Sequence, residues 1–200
     1  MKLIRAKNLL PVFFILICGT ATLTAETANP EKILGDQQFS IQLGGFAPLF
    51  IAGGEDGVQS ANMNIGGGGA LRWNAYLNKY VSLGAELYGS MASNINDETL
   101  FQVGLTAAAT GYFLEINPIS FPVSIDIGGN MMRFQDSTYF GPIIKPGIAA
   151  LYATDSGWSF GLWTKYWLVP EIYTGNGGPP AADTRFGHFI DFNLTALYHF

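Results

Sequence analysis

From Phe39 onward, apolar and polar side chains alternate with a period of two, interrupted at intervals by turn chemistry. Phe39, Ile41 and Leu43 alternate with Ser40, Gln42 and Gly44, the pattern of a strand with two unlike faces. A second strand is predicted over Met63–Leu77, where Leu71, Trp73, Ala75 and Leu77 alternate with Arg72, Asn74 and Tyr76. The third sets Val81, Leu83, Ala85 and Leu87 against Ser82, Gly84, Glu86 and Tyr88. The fourth runs from Phe101 to Phe113, and the fifth sets Phe121, Val123, Ile125 and Ile127 against Ser124, Asp126, Gly128 and Asn130. Tyr139–Ala153 is a sixth strand, irregular because it carries Pro142 and Pro146. Trp158–Val169 and Phe186 to the last residue complete a set of eight.

An even number of strands suits a closed antiparallel barrel. Links around Asn78, Asn117 and Ser156 are short, whereas Ile51–Asn62 and Pro170–Asp183 are long and polar, as the turns and outer loops of a transmembrane barrel are distributed. One face carries branched aliphatic and aromatic residues. The other collects Arg72, Glu86, Asp126, Lys165 and Asp191, with Lys145 joining them. Three basic and three acidic groups make a poor hydrophobic core and an equally poor soluble surface, but they suit a narrow, neutralised lumen. Backbone groups in lipid must pair within the protein, so the strands must close on themselves. The expected fold is all-β, an eight-stranded antiparallel up-and-down transmembrane β-barrel. A three-residue link of Asn78, Lys79 and Tyr80 then sets Arg72 directly across from Glu86.

Composition agrees with this pattern. The 200 residues are 48% hydrophobic and only 12% charged, too little charge for an ordinary water-facing surface. Mean hydropathy is +0.23, and past the N-terminus no apolar run is long enough for a spanning helix. Twenty-five glycines and 14% aromatic residues also oppose a helical bundle.

The N-terminus reads as a cleavable signal peptide over residues 1–25. Lys2, Arg5 and Lys7 precede an apolar segment, Leu9 to Cys18, and a small-residue stretch. Cleavage after Ala21 and cleavage after Ala25 both fit, while lipidation at Cys18 is opposed by the bulky Ile17 before it. Residues 26–37 form a short polar periplasmic leader and 38–200 the barrel. Losing the signal removes three of ten basic residues and none of fifteen acidic ones, leaving a net charge of −8 and no surface for nucleic acid. It also removes the only cysteine, and with it any disulfide or cysteine metal site.

Leu194, Ala196, Tyr198 and Phe200, spaced by two and ending on the aromatic terminus, resemble the assembly signal by which bacterial outer-membrane proteins are read by the barrel-insertion machinery. Thr195 stands where glycine is frequent. With signal, length and strand count, the mature chain resembles the small eight-stranded outer-membrane barrels of the OmpX, OmpA-domain and OmpW types. That resemblance implies a bacterial outer-membrane location, with lipid and the insertion machinery as partners. It implies one of two functions: a narrow channel passing small hydrophobic solutes, through a lateral opening in one of these types, or a non-transporting structural or adhesin-like barrel presenting its loops to an extracellular partner.

Other chemistry is weak. Gly66–Gly69 lacks the Lys-Ser/Thr and following helix of a phosphate loop and reads as a bend or close-packed wall. Trp73, Trp158, Tyr166, Tyr198 and Phe200 read as interfacial girdles, and Trp163 and Trp167 as lumen residues. His188, by its parity, faces lipid without a nucleophile motif, and His199 lies at the opposite end. Asp97-Glu98 and Glu55-Asp56 offer too few oxygens for calcium. No catalytic site, metal or cofactor is expected.

Overall fold

The computed structural model describes residues 32–54, 57–135, 137–172 and 183–200. Eight long strands form the wall: β1 Gln37–Gly53, β2 Gly66–Asn78, β3 Val81–Ser93, β4 Thr99–Gly111, β5 Val123–Phe134, β6 Ser137–Ala153, β7 Trp158–Glu171 and β8 Arg185–His199. Each pairs antiparallel with its neighbours in chain order. β8 returns to pair with β1, from Gln38 opposite His199 to Gly53 opposite Arg185, so the sheet closes and leaves no edge. The chain is an eight-stranded antiparallel barrel. Expectations for residues 1–31, including the signal peptide and both cleavage sites, and for Glu55-Asp56 and most of the Pro170–Asp183 loop lie outside the described residues.

Closure is tightest at the rim holding the chain ends. Gln37 and Phe200 exchange backbone hydrogen bonds of 2.9 Å in both directions, and Asp36 O accepts from Tyr76 N at 2.8 Å. The β2–β3 turn corrects the expected three-residue link. Asn78 pairs with Val81 across Lys79-Tyr80, its Oδ1 accepting from Tyr80 N and Val81 N, while Leu77 bulges out of the ladder. The bulge restores the register, and Arg72 still stands opposite Glu86. Between β4 and β5 the link is instead longer than expected: Glu115–Ile116 and Ile119–Ser120 form a small hairpin whose second arm pairs with β6, so β5 begins at Val123. β6 begins at Ser137, two residues before Tyr139. At the other rim, Val58–Ser60 folds back along β1.

Parity decides what each strand buries. Leu43, Leu71, Leu87, Leu105, Ile127 and Leu194 point outward and are exposed, whereas Gln42, Arg72, Glu86, Thr106, Asp126 and Asn193 point inward and are buried. This is the inverse of a soluble barrel and the arrangement a hydrocarbon surround requires. Outside the chain-end rim, Trp158 packs 5.0 Å from Tyr198 and Tyr198 6.1 Å from Phe200, a cluster of aromatic rings at one level. Tyr166, His188 and Phe50 form a smaller outward cluster toward the other rim, with the His188 ring 4.2 Å from Phe50 and Tyr166 Oη hydrogen-bonded to His188 Nδ1.

Candidate functional site: a sealed lumen beneath an apolar cup

The middle of the lumen is a charge network. Arg72 Nη1 donates to both oxygens of Asp126 at 3.0 and 3.1 Å and more distantly to Glu86 at 3.4 Å, and Nη2 donates to Thr110 Oγ1 at 2.6 Å. Glu86 is shared: Lys145 Nζ donates to Oε1 at 2.7 Å and Lys165 Nζ to Oε2. Lys165 also lies 3.4 Å from Asp126 and donates to Gln42 Oε1 at 3.2 Å. The register that sets Arg72 across from Glu86 therefore does not make that pair the strongest, because the long guanidinium crosses the narrow lumen to Asp126 on β5. Asp191 is in the lumen but joins no ion pair among the described residues. It accepts from Lys165 N at 2.8 Å and Trp167 Nε1 at 3.0 Å.

All six groups are at most 5% exposed. Three cations and three anions balance formally, which is the condition under which buried charges can persist. Aromatic faces complete the solvation of the cations: Lys145 Nζ is 3.5 Å from the Tyr88 ring centroid and Arg72 Cζ 5.0 Å from Trp163.

Toward the loop rim the lumen changes character. Phe46, Tyr88, Leu100, Ile143, Trp167, Val169 and Phe189 all point inward and pack into one buried apolar cluster. Phe46 lies 5.0 Å from Trp167 and 5.3 Å from Phe189, and Tyr88 meets Trp167 edge-on at 4.8 Å. Space for these rings comes from small partners. A Cβ at Gly104 would lie 2.3 Å from Tyr88 Oη, and Phe46 is paired with Gly66, the first residue of the glycine run. The run is thus strand, not phosphate loop. Parity placed Trp163, Trp167 and Phe189 inside, with the two tryptophans expected to narrow or block the lumen, but it did not reveal the full apolar cluster around Trp167. The missed signal is a gradient: along β1, β6 and β8 the inward residues pass from Gln42, Lys145 and Asp191 to Phe46, Ile143 and Phe189 as the loop rim is approached.

Above the plug opens a cup of about 430 Å³. Ile51, Met63, Leu100, Met132, Phe134 and Phe189 line it, with Ser137, Thr138, Tyr139, Glu171 and Arg185 at its rim. Its side wall between β6 and β7 is unusual. Ala149 N donates to Pro122 O on the β5 side, so the even-numbered residues of β6 direct their N–H groups at β7, and Pro142 and Pro146 have none to give. Regular pairing lapses after Lys165 and Gly147, returns at Leu168 and Ile144, and stops. Carried two residues further, the register sets Pro142 against Pro170, a position with no donor on either strand. A side chain replaces the ladder there: Tyr139 Oη donates to Pro170 O at 2.8 Å and accepts from Ile172 N at 3.1 Å.

The chain-end mouth is closed. Tyr76 and Tyr112 meet at 5.3 Å and both donate to Gln38 Oε1, while Lys32 lies 4.3 Å from the Tyr112 centroid and pairs with Glu115. His199 Nε2 comes within 3.4 Å of Ser159 Oγ, a pairing the sequence did not suggest. On the Ser159 side of His199 the free space is about 10 Å³, room for one water, while its other side borders a hollow of about 220 Å³ formed with Lys32, Asp36, Gln37, Tyr76 and Phe200. Among the described residues no three His, Asp or Glu side chains gather as metal ligands. Leu194, Ala196, Tyr198 and Phe200 follow one another down the outer face of the last strand to the chain-end rim, Leu194 and Phe200 strongly exposed.

An inverted barrel with a charged, filled lumen defines a class: the small eight-stranded barrels of the outer-membrane type. The chain belongs to a protein family whose model matches residues 20–198. Among solved structures, Neisserial surface protein A is similar in fold, with 11% identity over 83% of this chain and 97% of that one and a TM-score of 0.55. Ail, the attachment invasion locus protein of Yersinia pestis, aligns at 13% identity over 84% of this chain and 100% of that one, with a TM-score of 0.48. OprG from Pseudomonas aeruginosa aligns at 9% identity over 86% and 99%, with a TM-score of 0.43. No curated protein matches the sequence.

Proposed function

We propose that the protein resides in the bacterial outer membrane and takes small hydrophobic solutes from outside into the cup, releasing them through the β6–β7 wall rather than through the lumen. The observation that carries this reading is the union of an apolar cup with a floor that is shut. Below the cup lie the ring cluster, the ion network and the tyrosine-lined mouth, so an entering molecule has no continuous way down. The wall beside it is, among the described residues, the one seam whose ladder is interrupted by three prolines. An apolar molecule in the cup is separated from the surrounding hydrocarbon by that seam and the Tyr139 hydrogen bonds.

Cysteines introduced at the paired positions Ile144 and Leu168 test the route, since the only native cysteine lies in the signal segment. Oxidation should lock the seam and abolish barrel-dependent entry of the apolar dye phenylnaphthylamine into proteoliposomes, and reduction should restore it. Undiminished entry in the oxidised protein would defeat the lateral route. Stepwise ion conductance in planar bilayers would favour passage through the lumen, and absence of both entry and conductance would favour the structural or surface-interaction reading. Location is read separately: the protein should fractionate with outer membranes and migrate faster unheated than boiled on a denaturing gel.

A further inference from the structure

The cup has a polar side, and its chemistry points to the kind of molecule that fits. Arg185, the first residue of β8, has inward parity and lines the cup, and it also borders a small hollow formed with Gly53, Gly57 and Gln59. Glycine keeps its surroundings open. A Cβ at Gly53 would lie 2.6 Å from Thr184 O, its φ is +101°, and a Cβ at Gly54 would lie 3.4 Å from Arg185 Nε. Arg185 makes no ion pair among the described residues and is exposed at the rim. Its cross-strand neighbour is Glu171, which has an interaction of its own. One planar cation thus overhangs a hollow whose deeper walls are Met63, Met132, Leu100 and Phe189.

We propose that the cup binds an amphipath with a carboxylate head: the head on the Arg185 guanidinium, the tail running down between Met63 and Met132 onto the Phe189 plug. This inference rests on the uptake reading and names its substrate class. The guanidinium fork matches the two oxygens of a carboxylate. A dianionic head such as a phosphate monoester fits less well, because Arg185 is the one cation among the described lining residues and a second negative charge would find no partner there. A cup of 430 Å³ is at the small end of ligand sites, about 300–1,000 Å³, which favours a medium-length chain.

The methionines provide the readout. Met63 and Met132 line the cup, whereas Met91 and Met131 have outward parity and report lipid partitioning. With carbon-13 methyl-labelled methionine in the full barrel in nanodiscs, dodecanoate should shift the Met63 and Met132 signals saturably while Met91 and Met131 respond only in proportion to added amphipath. Dodecanol and dodecyltrimethylammonium should need about tenfold higher concentrations for the same shift, the cost of one charge-assisted contact. Arg185→Gln should remove the dodecanoate advantage and leave dodecanol unchanged, with Arg185→Lys intermediate; heat-modifiable migration checks folding of each variant. Equal binding of dodecanoate and dodecanol, with no effect of Arg185→Gln, would overturn the head-group assignment while leaving the uptake reading intact. Preferential binding of the trimethylammonium probe would place the head at Glu171 and overturn it as well. If no probe moved Met63 or Met132, both this inference and the uptake reading would fall.

Discussion

The middle and the loop-side half of the lumen are built from the same eight strands at the same inward parity, yet they hold together by opposite means. In the middle, Arg72, Lys145 and Lys165 are fixed by Glu86 and Asp126, so each side chain is tied to specific partners and its removal strands another charge. In the loop-side half, Phe46 and Phe189 are held by packing, which tolerates small movements and has no charge to strand, and Trp167 joins the two halves by donating to Asp191 at 3.0 Å. The first region suits a permanent seal. The second suits the floor of a site where apolar ligands come and go. A barrel of eight strands, whose interior is just filled by side chains, can thus be shut below and receptive above without a change in architecture.

The largest expected effect lies in the seal. Glu86→Ala removes the carboxylate shared by three cations, leaving Lys145 with aromatic faces and Lys165 with the longer contact to Asp126, so the folded barrel should lose about 3–5 kcal/mol. Guanidinium unfolding monitored by gel mobility measures it. A loss below about 1 kcal/mol, the range of exposed pairs, would show that the network is hydrated and weak. Double-mutant cycles sharpen the account: coupling of Arg72 with Asp126 should exceed coupling of Arg72 with Glu86, following 3.0 against 3.4 Å. The reverse order would mean that the cross-strand neighbour dominates after all.

Next in size is the plug. Phe46→Ala deletes a fully buried ring touching Trp167 and Phe189 and should cost about 3 kcal/mol, the lower end for buried aromatic truncations, since the cavity opens toward the cup. It should not create ion conductance, because the network below remains. Conductance in Phe46→Ala with none in Glu86→Ala would reverse the roles assigned to the two halves.

The two halves were also unequally legible in the sequence. Strand number, parity and the inward set of Arg72, Glu86, Asp126, Lys145, Lys165 and Asp191 follow from the period of two, because a charged residue among alternating apolar ones marks its face without ambiguity. Phe46 and Ile143 carry no such mark. An aromatic or aliphatic residue at inward parity looks like a register error until apolar side chains from five other strands are seen to converge on it. Partner choice was hidden for another reason: Arg72 reaches Asp126 across the barrel, and cross-lumen distance is not a function of local register. The prolines of the sixth strand were visible as an irregularity, but their meaning depended on which neighbour they face. That is set by the closure of β6 on β7 and by Pro170 arriving opposite Pro142.

The smallest expected effect tests that seam. In Tyr139→Phe the ring stays in the place left open by Gly141, where a Cβ would lie 2.3 Å from it, and only the hydroxyl between Pro170 O and Ile172 N is lost. Two hydrogen bonds disappear at a partly solvated rim, so global stability should fall by only about 1 kcal/mol. Local opening should change far more than global stability, because with Pro142 facing Pro170 there is no ladder to take up the load. Hydrogen exchange should speed up at the amides of Leu168 and Ile144, the last paired residues of the seam, by about tenfold, the factor that 1.4 kcal/mol of lost local protection corresponds to. Exchange at Leu194 and Leu43, in the regular stretch of the β8–β1 ladder that precedes its irregularity between Pro48 and Phe50, should stay as it was. Equal acceleration in both ladders would mean that Tyr139 supports the whole barrel, and no acceleration in either would mean that the proline-interrupted wall is held shut by packing alone.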